Sequence, residues 1–228
     1  MRRRSILLTV LLLASLPGVV LAGASVTVHR GNVVCKNAVG VTKTITTHHK
    51  DQEAVLSPDG HTVAFVRVVK ATQHPEFPDD EITALWTGDC VSGTSRRVLA
   101  PSRGRDDFTD RLDDVGDPVF SLNGGYVYVS VAPGADYLIL HQVNIHTGQH
   151  KRVAFIELDS VIRTGPYRGY LLATQHTDMT DAQGQHYGGY PMYIFRPDGT
   201  VVERIAGSEK WGEKDIKAWL KSKGWKAW

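Results

Sequence analysis

His176, Asp178, Asp181 and His186 place four side chains of the zinc-ligating kind in the stretch "HTDMTDAQGQHYGGY". Zinc needs donors spaced so that they close around one ion. This spacing matches no zinc motif, so a polar hairpin loop is the expected reading. The stretch "RGRDDFTDRLDDVGDP", residues 103–118, holds six aspartates and three arginines. Calcium loops require ligands at regular spacing around a fixed glycine, which is absent here, so a solvated connector is expected. His146 and His150 flank the turn "HTGQH", and "HHKDQE" spans His48–Glu53. His146 and His150 have no third ligand, and both groups read as exposed polar residues. Cys35 and Cys90 are the two cysteines of the chain. In an oxidising compartment they are expected to pair, and no C-x-x-C spacing supports redox catalysis. The HExxH, GK[ST] and GxGxxG patterns are all missing. The sequence therefore assigns no catalytic residue, metal site or cofactor.

The compartment follows from the N-terminus. Arg2, Arg3 and Arg4 precede the apolar run Ile6–Leu16, and "AGA" ends at Ala24. That is the layout of a secretory signal peptide over residues 1–24, shorter than the ~20 apolar residues of a membrane span. A periplasmic or secreted chain is expected. Of 26 basic residues, setting aside the three leader arginines leaves 23 against 24 acidic ones. A nearly neutral chain lacks the basic face that nucleic acid requires. The remainder is long enough for one domain with a sizeable core.

The elements that would position these groups are strands. In "VLSPDGHTVAFVR", Pro58 and Asp59 suit the central turn positions, and Gly60 supplies the positive φ that closes a hairpin. After it Val63 and Phe65 face one way, Ala64, Val66 and Val68 the other. A strand apolar on both faces belongs between two layers. "VFSLNGGYVYVS" repeats the pattern around Asn123 and Gly124, and "YRGYLLATQH" repeats it faintly around Gly169. Each unit is followed by a second hairpin, with turn glycines Gly93, Gly148 and Gly199. Separations of 33, 24 and 30 residues between first- and second-turn glycines keep the order while the intervening loop varies. Four-stranded units at such a repeat are the mark of propeller blades.

"LSPDGHTVAFVR" and "FSLNGGYVYVSV" resemble the WD40-like (PD40-type) propeller repeats of TolB and of prolyl-oligopeptidase-type proteins, over roughly residues 50–207. The resemblance implies an all-β, propeller-like stack of three to four four-stranded blades over residues 25–207. It implies little about function. The chain has no room for TolB's separate α/β domain, and no serine lies in the G-x-S-x-G elbow of the peptidases. Residues 25–48 read as two or three strands that either supply a further blade or complete the last one. A β-sandwich is the alternative fold.

Residues 208–228 break the β pattern. Ile216, Trp219 and Leu220 share one helical face, Lys214, Lys217 and Lys221 lie elsewhere, and Gly224 ends the helix. This short amphipathic helix and Trp-rich tail is expected to cover an exposed blade edge. Weak contact with an anionic membrane surface is the other reading. The composite expectation is an exported, non-catalytic binding module whose partner is a protein of the bacterial envelope, with a homodimer if the propeller stays open. A hydrolase or lyase acting on an envelope polymer through a loop-built site is one alternative. An envelope-associated structural protein is another.

Overall fold

The computed structural model describes residues 23–71, 81–102, 111–132, 138–180 and 183–227. The leader at residues 1–24 lies almost wholly outside them. Strands β1 (Ser25–His29), β2 (Asn32–Lys36) and β3 (Thr42–Thr44) form an antiparallel three-stranded sheet. Blade 1 follows as β4 (Asp51–Leu56), β5 (Thr62–Ala71), β6 (Glu81–Asp89) and β7 (Ser95–Leu99), in that spatial order. Blade 2 repeats it with β8 (Val115–Phe120), β9 (Tyr126–Val131), β10 (Ile139–Asn144) and β11 (His150–Ala154). Blade 3 begins with β12 (Glu157–Val161) and β13 (Leu171–Thr174). It is interrupted by a separate ribbon, β14 (Thr177–Thr180) and β15 (His186–Gly189), and ends with β16 (Met192–Phe195) and β17 (Val201–Arg204). Helix α1 spans Glu213–Ser222.

The sheets stack as layers, and the apolar residues show why. On β5, Val63, Ala64, Phe65 and Val66 are all fully buried. Val63 and Phe65 pack with Val33, Cys35 and Ile45 of the first sheet. Ala64 packs with Val127 and Val129 of blade 2. On β9 the neighbouring Tyr128 turns the other way, toward Leu171 and Phe195 of blade 3. Each second strand thus seals two cores, and a β-sandwich, with its single core, is excluded. The first strands β1, β4, β8 and β12 touch one another in succession. The last strands of the blades are largely exposed, with β17 exposed throughout. Strands that converge at one side and splay at the other give the radial layout of propeller blades.

One open alternative is resolved and one expectation needs correction. Residues 25–48 form their own sheet against blade 1 and do not complete blade 3. The helix covers a face of blade 3, not a strand edge: Ile216, Leu220 and Ala227 pack on Leu172, Met192 and Ile194. The stack accordingly ends differently at its two sides. On the first sheet, Ser25, Lys36 and Thr42 share the outward face with Thr27, Val34 and Thr44, a mostly polar surface of the kind that caps repeat arrays. Blade 3 presents an apolar face instead, and the helix shields it.

Candidate functional site

The hairpin turns build one end of the stack. Gly60, Gly124, Gly148 and Gly199 all hold positive φ, between +71° and +91°. In the first turn Ser57 Oγ donates to Asp59 Oδ1 (2.5 Å), and the Thr62 N–H donates to Ser57 Oγ (2.9 Å). Pro58 occupies the first central position, and the Gly60 N–H closes the turn on Ser57 O (2.9 Å). Blade 2 repeats this with Ser121, Asn123 and Tyr126 at 2.8 and 3.0 Å. The turn serines were a repeat signal as readable as the glycines, and their role as caps was missed.

The inner edge carries a recurring set of acidic groups. Each inner strand contains a β-bulge: β4 between Gln52 and Val55, β8 between Gly116 and Val119, β12 between Leu158 and Ser160. An acidic residue occupies every one, namely Glu53, Asp117 and Asp159. Bulges re-aim side chains and disrupt pairing, which makes them frequent at functional edges. Glu53 and Asp117 stand four residues before Ser57 and Ser121, and both adopt left-handed φ, +51° and +49°. Asp159 does not share that conformation. The Glu53 carboxylate accepts the Asp117 N–H (2.7 Å), tying blade 1 to blade 2 at the inner edge. Burial pushes the Glu53 carboxyl upward, the Asp117 N–H opposes it, and the charges of Asp117 and Asp114 add to the rise. Asp159 is pushed up to about 6, first by burial and then by Glu157. Its Oδ2 is buried without a hydrogen-bond partner.

That rise fixes a sign. A carboxyl whose folded pKa lies above its unfolded value penalises the fold once ionised. The penalty is full above about 6 and is lost as pH falls toward the unfolded value near ~4. Asp159→Asn is therefore expected to stabilise by about 1 kcal/mol near pH 7.5, after allowance for partial exposure, and not near pH 4. Urea midpoints at the two pH values check this, and an equal gain at both would contradict it.

Deeper on blade 1, cross-strand partners Asp51 and Arg67 form a buried ion pair, with Arg67 Nη2 also 3.1 Å from Asp51 Oδ2. The guanidinium lies 4.1 Å from the Trp86 ring centre, so an aromatic face shares in stabilising the buried cation. Thr83 Oγ1 accepts the Val115 N–H (2.7 Å) and donates to Val115 O (2.8 Å), joining β6 to the start of β8. These anchors lie toward the ends of β5 and β6 that their connection joins.

The candidate metal residues do not converge. His176 packs edge-on against Tyr190 (5.3 Å between ring centres), and His186 Nδ1 meets Thr180 Oγ1 (3.1 Å). Asp178 pairs in register with Gly188, while Asp181 and residues 103–110 of the acidic stretch lie outside the described residues. His150 lies beside His141. His49 is clasped to Asn32 and the Arg30 carbonyl at 2.9 to 3.0 Å. Among the described residues no three His, Cys, Asp or Glu side chains are placed to hold a metal ion.

Cys35 and Cys90 are joined by a disulfide, with Cα atoms 5.6 Å apart, fastening the first sheet to blade 1. At the far end α1 carries the reciprocal backbone cap of Gly212 and Asp215 and stops in a Schellman turn. There the Trp225 N–H meets Leu220 O and the Gly224 N–H meets Lys221 O, at 2.9 and 3.0 Å. Its apolar stripe is spent on blade 3, which leaves the lysine face and not an apolar face toward solvent. No helix among the described residues is long and apolar enough to cross a membrane.

No protein-family model and no curated protein matches the chain. Solved structures do. Dipeptidyl peptidase 4 of Porphyromonas gingivalis matches at 12% identity and TM-score 0.52, over 80% of this chain and 31% of that one. The β-propeller domain of the trilobed protease from Pyrococcus furiosus matches at 13% and 0.48, over 76% and 48%. TolB from Acinetobacter baumannii matches at 18% and 0.46, over 78% and 38%. The fold is propeller-like. The chain spans less than half the length of each of these proteins, and at such identities the likeness concerns fold alone.

Proposed function

We propose that the chain is an exported, non-catalytic binding module that docks a protein of the bacterial envelope through the end opposite its glycine turns. The observation that carries this reading is the ribbon β14–β15. It leaves blade 3 between β13 and β16, and all but one of its strand residues are exposed or half-exposed. A two-stranded ribbon with no core behind it is marginal by itself, so it adds little to the fold. It nevertheless carries exposed Tyr187 and is flanked by exposed Tyr190. Aromatic residues on a loop held by a rigid scaffold are the usual material of a protein contact. Export is supported by the leader-like N-terminus and by the disulfide, which suits an oxidising compartment.

The test replaces residues 177–189 with a Gly-Ser linker and compares crosslinked pull-downs from envelope. The variant is expected to melt like the parent and to lose a partner that the parent retains. Identical captures from both proteins would overturn the ribbon's role. The alternative, a hydrolase or lyase of an envelope polymer, draws on Asp159, since a carboxyl pushed up to about 6 is suited to proton transfer. Polymer cleavage by the purified protein, abolished in Asp159→Asn, would favour that reading.

A further inference from the structure

At the glycine-turn end, far from the ribbon, a cavity of about 430 Å³ opens between blades 1 and 2. That lies within the ~300–1,000 Å³ of small-molecule sites. Thr62, Thr87, Asp89, Ser95, Arg96 and His146 are among its lining residues. Register explains their convergence. Thr62 pairs with Asp89, and Thr87 pairs with both Ala64 and Arg96. Ala64 belongs to the core between blades 1 and 2, so these partners share the face turned to blade 2. His146 supplies the opposite wall from the second turn of blade 2.

The cavity exists because of how the blades are clasped. Between the first sheet and blade 1, Lys43 Nζ donates to Val91 O (2.8 Å), and its side chain crowds Gly93. Between blades 1 and 2 the same task falls to Arg96, whose Nη2 reaches the carbonyls of Ile145 and His146. Only Nη2 of that guanidinium is spent on these carbonyls. Asp89 Oδ1 accepts the Val91 and Ser92 N–H groups (both 2.7 Å), which leaves its other oxygen as an acceptor. The site therefore combines a guanidinium, a carboxylate and hydroxyls, with one imidazole, that of His146, in its lining.

Each feature narrows the ligand. Arg96 keeps its Nε and Nη1 hydrogens as charged donors for a carboxylate. Asp89 repels a bare anion but accepts from hydroxyls. We propose that this cavity binds a polyhydroxylated monocarboxylate, a sugar acid of the uronic type, with its carboxylate on Arg96 and its hydroxyls on Asp89 and the threonines.

Calorimetric titration of the full chain with glucuronate, glucose and acetate tests the proposal. Glucuronate is expected to bind saturably and at least about tenfold more tightly than either competitor, because each lacks one of the two recognised groups. Arg96→Gln should weaken glucuronate by at least about tenfold. Arg96→Lys is the folding control, since Lys43 shows that a lysine can close such a clasp, and it should bind less tightly than the parent without melting earlier. Asp89→Asn keeps the turn, because Asn144 caps the equivalent turn of blade 2 at 2.9 and 3.0 Å. It should narrow the preference for glucuronate over acetate. Equal binding of glucuronate and acetate, no saturable binding, or an Arg96→Gln variant that binds normally would each overturn the assignment.

Discussion

Removing residues 208–228 is expected to lower the melting temperature sharply or to drive the protein into aggregates. Ile216, Leu220 and Ala227 are at most 5% exposed, and they cover Ile162, Leu172, Met192 and Ile194 of blade 3. Burying a large apolar side chain contributes ~1.5 to 3 kcal/mol, so the helix contributes several kcal/mol against a typical total of ~5 to 15. The tail adds a second attachment: the Arg163 N–H donates to Lys226 O (2.6 Å) and the Lys226 N–H to Thr164 Oγ1 (2.8 Å). Trp225 lies directly over Gly165, where a Cβ would meet its ring at 2.5 Å. Leu220→Ala should reproduce much of the loss, about 2 to 4 kcal/mol, through the cavity it leaves. Lys214→Gln on the outward face should change little. A truncated protein that melts like the parent and stays monomeric would show that blade 3 needs no cover.

Much of this architecture was legible because the repeat writes it locally. A turn that needs positive φ announces itself as Gly60, Gly124, Gly148 or Gly199, and a strand buried on both faces announces itself as "TVAFV" or "YVYVSV". The second-turn glycines also have a role that local sequence does not show. A Cβ on Gly148 would lie 2.6 Å from Val98 O, and one on Gly199 would strike Val153 O, both on the last strand of the preceding blade. Close approach between blades is a property of the stack.

The inner-edge acids were hidden for a different reason. A bulge shifts register by one residue, so the period-2 reading that exposes β5 fails on β4, β8 and β12. Glu53 and Asp117 then look like members of polar connectors, and Asp159 looks unremarkable. Blade 3 was faint because its first turn abandons the Ser-x-Asp/Asn-Gly pattern. Residues Thr164–Gly169 instead form the seat for Trp225 and Lys226, which lie some sixty residues further along. Nothing local marks a turn as a docking seat for a distant tail.

Loss of the disulfide is expected to loosen one end of the stack and leave the other intact. Cys35 and Cys90 are 1% and 4% exposed and belong to the core that joins the first sheet to blade 1. Their sequence separation is 55 residues. In the chain-entropy model such a loop contributes roughly 4 kcal/mol by restricting the unfolded chain. Among the described residues no further sheet covers the first one, so its attachment rests on this core, whereas blade 2 is held from both sides. In a stack whose layers touch only their neighbours, stability is close to a sum of local terms. The double variant Cys35→Ala/Cys90→Ala avoids leaving an unpaired buried polar group. Hydrogen exchange should then quicken in β1–β3 well before β12–β17, with an earlier first melting transition. Uniform quickening along the chain would mean that the sheets unfold as one unit. Unchanged exchange in β1–β3 would mean that Val33, Ile45 and Phe65 hold the first sheet without the covalent bridge.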